Sequence, residues 1–161
     1  MAALTTDLRI EEPGWKKALP SSAKILKAAA KAALRDGSPG LEGKVAIAIL
    51  LSNDAEVQAL NKMWRGPDKP TNVLSFPALP EASPPGGPVF LGDLVLALET
   101  VEREAKAQDK SVEAHAAHLV VHGVLHLLGF DHMDARQARE MERLEQDVMA
   151  SLGYPDPYLV S

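Results

Sequence analysis

Residues 111–132 read SVEAHAAHLVVHGVLHLLGFDH. Ser111 is a residue type that caps helix N-termini, and the chain beyond it favours a helix as far as Leu128. Gly129 then stops the helix, because glycine turns the chain through positive φ without strain. On such a helix His122 and His126 are one turn apart and point the same way. His132 returns beyond the turn as a third imidazole. Three of the chain's five histidines fall within these last eleven residues. A pair at i, i+4 arises often by chance; the full constellation carries the reading. Three neutral nitrogens suit Zn²⁺ and leave a fourth position for water, whose pKa then falls towards ~7. The expectation is one divalent ion, Zn²⁺, held by His122, His126 and His132 for hydrolytic chemistry.

Three neighbours belong to this segment. His118 and His115 lie within about 80° of the ligand face on a helical wheel. Each reads as a group behind a ligand, a substrate contact or a solvated histidine. Asp131 either accepts the second N–H of a ligand imidazole or caps the turn.

Working outward, Leu4–Ile10 reads as a first strand ended by Pro13-Gly14. Residues Ser21–Arg35 read as a helix, with Ser21 or Ser22 as its cap. The apolar run Val45–Leu51 has the length of a buried strand. Asn53 with Glu56 makes a capping box for a helix ending at Gly66-Pro67. Thr71–Phe76 is β-prone, and the proline-rich residues 77–88 are a loop. A strand over Gly92–Leu98 and helices over Glu99–Gln108 and Ala135–Leu152 complete the chain, the last opened by an Asp134 and Gln137 cap signature. This predicts an α+β fold: a small mixed sheet packed with about five helices in one domain, residues 1–161.

The chain has no cysteine, which excludes disulfides, thiolate metal sites and a cysteine nucleophile. It shows no run of about 18 apolar residues and no charged start followed by an apolar stretch, so no membrane partner is expected and a cytoplasmic location is. The net charge of −5 argues against indiscriminate nucleic-acid binding. The charge is uneven, however. Residues 1–70 hold 11 Lys and Arg against 8 Asp and Glu; residues 71–161 hold 6 against 14. Lys24, Lys27, Lys31 and Arg35 fall within roughly 80° of one another on the Ser21–Arg35 helix, a stripe that is either solvated or tracks an anionic backbone.

From His126 the pattern H-x-x-G-x-x-H matches metzincin metalloproteases. The H-E-x-x-H enzymes place a glutamate base directly after the first histidine. Here that residue is Gly123, which cannot take a proton.

His122–His132 also resembles the signature H-G-x-L-H-L-x-G-x-D-H of the YbeY family, at His122, Gly123, Leu125, His126, Leu127, Gly129, Asp131 and His132. Two further blocks agree. Leu60-Asn61 through Arg65, followed by Asp68 to Pro77, resembles the family's L-N-x-x-x-R and K-D-K-P-T-D-V-L-S-F-P stretch. Gly92-Asp93-Leu94-Val95 resembles its G-D-I-x-I strand. Pro67 and Asn72 depart from the usual Lys and Asp, and Asn72 is given no proton-transfer role.

The resemblance implies an endoribonuclease that cuts single-stranded RNA in ribosomal RNA maturation and ribosome quality control. Its partners are ribosomal RNA, the ribosome and ribosomal proteins. It implies a cleft holding the three histidines and an arginine that maps to Arg65. A guanidinium fork there would hold the reacting phosphate; without the resemblance Arg65 reads as a helix-end charge. Lys69 is a weaker substrate contact. The rival readings are a zinc metallopeptidase with the same cage, and a ribosome-associated binding protein with a structural metal.

Overall fold

The computed structural model describes residues 2–131 and 133–159. In chain order it contains β1 (Ala3–Ile10), α1 (Gly14–Ala18), α2 (Ser22–Gly37), β2 (Lys44–Ser52) and α3 (Asp54–Trp64). There follow β3 (Val73–Pro77), a 3₁₀ turn at Pro80–Ala82, β4 (Val89–Ala97), α4 (Leu98–Ala107), α5 (Val112–Leu127) and α6 (Ala135–Ser151). The fold is α+β, with a mixed four-stranded sheet ordered β1-β2-β4-β3. Strands β1, β2 and β4 run parallel, and β3 pairs antiparallel to β4 at one edge.

Period-two alternation sets the two sheet faces. Ile47, Ile49 and Leu51 of β2, with Leu94 and Leu96 of β4, turn to one face and join the main core. Helices α2 and α5 contribute Leu26, Ala29 and Ala33, and Val120, Val121 and Val124, to that core. The opposite face is covered near β3 and β4 by α3, where Val57 packs with Leu74, Val95 and Ala97. The basic stripe Lys24, Lys27, Lys31 and Arg35 is exposed on α2, with Arg35 paired to Asp36 at 2.8 Å.

Local signals set several boundaries. Asn53 accepts from the Glu56 amide, Ser111 from that of Ala114 and Asp134 from that of Gln137, so these three expected caps form. Ser21 stands at the N-cap of α2, but its side chain makes no capping hydrogen bond, its backbone at φ −101°, ψ 33° lying outside the extended conformation of the other three caps. Helix α1 was not expected. It is five residues long, too short for a periodic signal, and burial of Trp15 anchors it: the indole N–H donates to the Ser52 carbonyl at 2.8 Å. Strand β4 starts three residues before Gly92 rather than at it. Gly92 sits inside the strand at φ 145°, beside a register shift between Ala46 and Ile47.

A Cβ on Gly92 would lie 2.2 Å from the Phe76 carbonyl oxygen and 2.8 Å from Leu127 Cδ2. At Gly43, φ is also positive but the space is open. Gly92→Ala is therefore expected to cost about 3 kcal/mol or more, against about 1 kcal/mol for Gly43→Ala, as read from urea midpoints. Equal losses would contradict the close approach.

Candidate metal centre

Helix α5 is buried on most of its circumference, with Leu119, Val120, Val121, Gly123, Val124 and Leu125 all inside. Its four histidines, His115, His118, His122 and His126, share an arc of about 80°. Three of them, His115, His118 and His122, line a cavity of about 690 Å³ together with Glu104, Asn72 and Tyr158.

The Nε2 atoms of His122 and His126 are 3.0 Å apart. Each ring is oriented from behind. His122 Nδ1 lies 2.8 Å from Glu145 Oε1, and His126 Nδ1 lies 3.0 Å from the Phe130 carbonyl oxygen. Both acceptors lack hydrogens, so each Nδ1 carries the proton and donates, leaving Nε2 with its lone pair inward. Two inward lone pairs at this distance repel unless a proton or a cation lies between them. Nitrogens sharing a tetrahedral zinc lie about 3.3 Å apart, so these donors fit the ion. Among the described residues, no three His, Cys, Asp or Glu side chains form a metal-holding group. His132, the third expected ligand, lies outside the described residues.

Glu145 was missed by the sequence reading. It occupies a core position on α6, in the buried set Met141, Glu145, Val148 and Met149. A carboxylate interrupting an apolar stripe was the available signal. It is 1% exposed. His118 Nε2–H donates to its Oε1 at 2.8 Å, and the Tyr158 hydroxyl donates to its Oε2 at 2.7 Å. Burial pushes the carboxyl pKa up, but the hydrogen bonds from His118, His122 and the Tyr158 hydroxyl outweigh it and take it down to about 2. Tyr158 had no sequence signal.

His115 is also buried. Its Nε2–H donates at 2.9 Å to Glu104 Oε1, which also accepts from Asn72 Nδ2 at 2.9 Å. Burial lowers the His115 pKa against the pull of Glu104, favouring the neutral ring. Asn72 thus holds a carboxylate in place and, through Oδ1, accepts from the Val73 amide.

Arg65 and Lys69 are exposed and line an adjoining depression of about 390 Å³. It shares the lining residues Asn72 and Glu104 with the histidine cavity, so the two adjoin. Asn61 holds this end together: its side chain donates to the Lys69 carbonyl at 2.9 Å, and its own carbonyl caps α3 through the Arg65 amide. Asp131 is exposed; orientation of the two described ligands falls to Glu145 and the Phe130 carbonyl.

Zinc added to metal-free protein is expected to raise its thermal midpoint, by about 2.7 kcal/mol of stabilisation at a hundred times the Kd. His122→Ala and His126→Ala should each abolish the rise. Acidification through the range where imidazoles take up protons should reverse it. A wild-type midpoint indifferent to zinc at neutral pH would contradict the site.

Comparison with known proteins follows the same line. The family model described as Endoribonuclease YbeY matches residues 11–153. A protein named Endoribonuclease YbeY from Azorhizobium caulinodans is 50% identical over 154 residues, covering 94% of each chain. Those of the same name from Paramagnetospirillum magneticum and Allorhizobium ampelinum are 49% and 45% identical, over 91% and 98% of this chain and 90% and 96% of theirs. A solution structure of a Thermotoga maritima protein shares the fold, with a TM-score of 0.58 and 22% identity over 96% of this chain and 99% of that one. With the family model spanning most of its length, the chain belongs to the Endoribonuclease YbeY family.

Proposed function

We propose that this protein is a cytoplasmic, metal-dependent endoribonuclease that cuts single-stranded RNA during ribosomal RNA maturation and ribosome quality control. The observation that carries the reading is the pair of oriented imidazoles, His122 and His126, with the His122 cavity adjoining a depression lined by Arg65 and Lys69. Family membership supplies the substrate class. A zinc ion held by His122, His126 and His132 would polarise a phosphate oxygen or prime a water for attack. The protein's own groups do the rest. Glu145 and the Phe130 carbonyl fix the ligand rings. Arg65 holds the phosphate and offsets the charge that grows on it in the transition state. Lys69 adds positive charge along the backbone path, and the exposed α2 stripe gives the otherwise acidic chain a surface for RNA or the ribosome.

The peptidase alternative loses ground at Gly123. A Cβ there would lie 2.7 Å from Leu94 Cδ2 and 3.3 Å from Ser75 Oγ. The position is packed on the sheet, and a side chain there would have to displace Leu94; glycine itself supplies no base of the H-E-x-x-H kind.

The test is zinc-loaded protein incubated with an unstructured RNA, the same DNA sequence and casein. RNA should be cut and casein left intact. His126→Ala should lose at least about 100-fold in rate, and Arg65→Ala should lower kcat more than it raises KM. Casein cleavage at the RNA rate, or intact RNA with the zinc site filled, would overturn the reading.

A further inference from the structure

We propose that Glu145 and Tyr158 are positioning residues for His122, so that docking of the segment around Tyr158 and metal binding are coupled. This rests on the metal reading above and extends it to a part of the chain remote in sequence from the histidine motif.

Three hydrogen bonds converge on one buried carboxylate. Oε1 takes the N–H groups of His118 and His122, each at 2.8 Å, and Oε2 takes the Tyr158 hydroxyl at 2.7 Å. A buried carboxylate is costly unless its lone pairs are satisfied. Tyr158 therefore helps determine whether Glu145 stays in place, and Glu145 determines which His122 nitrogen carries the proton. Remove the acceptor and His122 is free to rotate or change tautomer, turning its lone pair away from His126. A carboxylate behind a metal-binding imidazole also raises its basicity, and its loss typically lowers metal affinity 10–100-fold.

The segment carrying Tyr158 is held by its own bonds. Lys110 Nζ donates to the Pro157 carbonyl, the Tyr158 amide to Asp156 Oδ1 at 2.9 Å, and Gln146 to Asp156 Oδ2 at 3.2 Å. The Tyr158 ring stands edge-on to His118, with centroids 5.4 Å apart at 85°. The hydroxyl thus reaches Glu145 from a braced wall of the cavity. Linkage is reciprocal: if docking of this segment favours the metal, the metal favours docking.

The test uses zinc alone as probe, with the full chain and a chromophoric chelator as competitor. Tyr158→Phe keeps the ring on His118 and deletes the hydroxyl. Glu145→Gln keeps the shape and removes the charge. Zinc affinity should fall roughly 10–100-fold in Glu145→Gln and up to about tenfold in Tyr158→Phe. Zinc should also slow hydrogen exchange at the Tyr158 amide in wild type, and less so in Tyr158→Phe. The cobalt-substituted absorption band should shift in both variants. A purely structural role would lower the stability of zinc-free and zinc-bound protein alike and leave affinity and band unmoved. Should Glu145→Gln fail to fold, Tyr158→Phe alone decides through affinity and exchange. Wild-type zinc affinity in both variants overturns this proposal while leaving the metal reading standing. A wild type that binds no zinc overturns both.

Discussion

The architecture of the site depends on how closely α5 approaches the sheet. At Gly123 the helix lies so near β4 that an added Cβ would meet Leu94 at 2.7 Å. Close packing of one side of a helix against a sheet fixes its rotation as well as its distance. With Gly123 against Leu94, about 100° round the helix from the centre of the histidine arc, the arc turns off the sheet towards α6 and the cavity. A small residue between His122 and Val124 therefore serves geometry first. At the position of the H-E-x-x-H glutamate, this chain has a glycine packed beside Leu94.

From that rotation the polar network follows. A helix this apolar would ordinarily bury its histidines at a loss, since an unpaired buried polar group costs about 1–3 kcal/mol. Each of the four described histidines finds a partner instead: His115 with Glu104, His118 and His122 with Glu145, and His126 with the carbonyl just past the Gly129 turn. In His115 and His118 the buried Nδ1 has no hydrogen-bond partner among the described residues, as expected when the proton sits on Nε2 and is given to a carboxylate. In His122 and His126 the tautomer is reversed, Nδ1 donating, and the two Nε2 atoms lie 3.0 Å apart. One stripe of identical side chains is thus divided into two that close a network and two that offer lone pairs.

Much of this was legible in the sequence, for identifiable reasons. The sheet, the main helices and the caps at Asn53, Ser111 and Asp134 are local properties, set by periodicity and by side chains that reach backbone groups three residues on. The pairing of His122 with His126 is local too, being one helical turn. What stayed hidden depends on distant segments. Glu145 is one charge among many on an acid-rich helix until α6 is packed against α5. Tyr158 lies near the end of the described chain with no periodic pattern around it. Helix α1 exists because Trp15 has a buried niche and a carbonyl on β2, neither visible from five residues. The His122 cavity and the Arg65 depression adjoin where Asn72 and Glu104 meet across two elements, and no spacing rule anticipates that.

The central claim is that the histidine site holds an ion with an open position and that RNA phosphate comes to it. X-ray absorption at the zinc edge, with and without single-stranded RNA bearing phosphorothioate linkages, tests this directly. The account predicts three imidazole nitrogens and one light-atom ligand in the free protein. On RNA binding, a sulfur should appear at about 2.3 Å in place of that ligand. A site closed by four protein ligands, or a spectrum unchanged by saturating RNA, would contradict it.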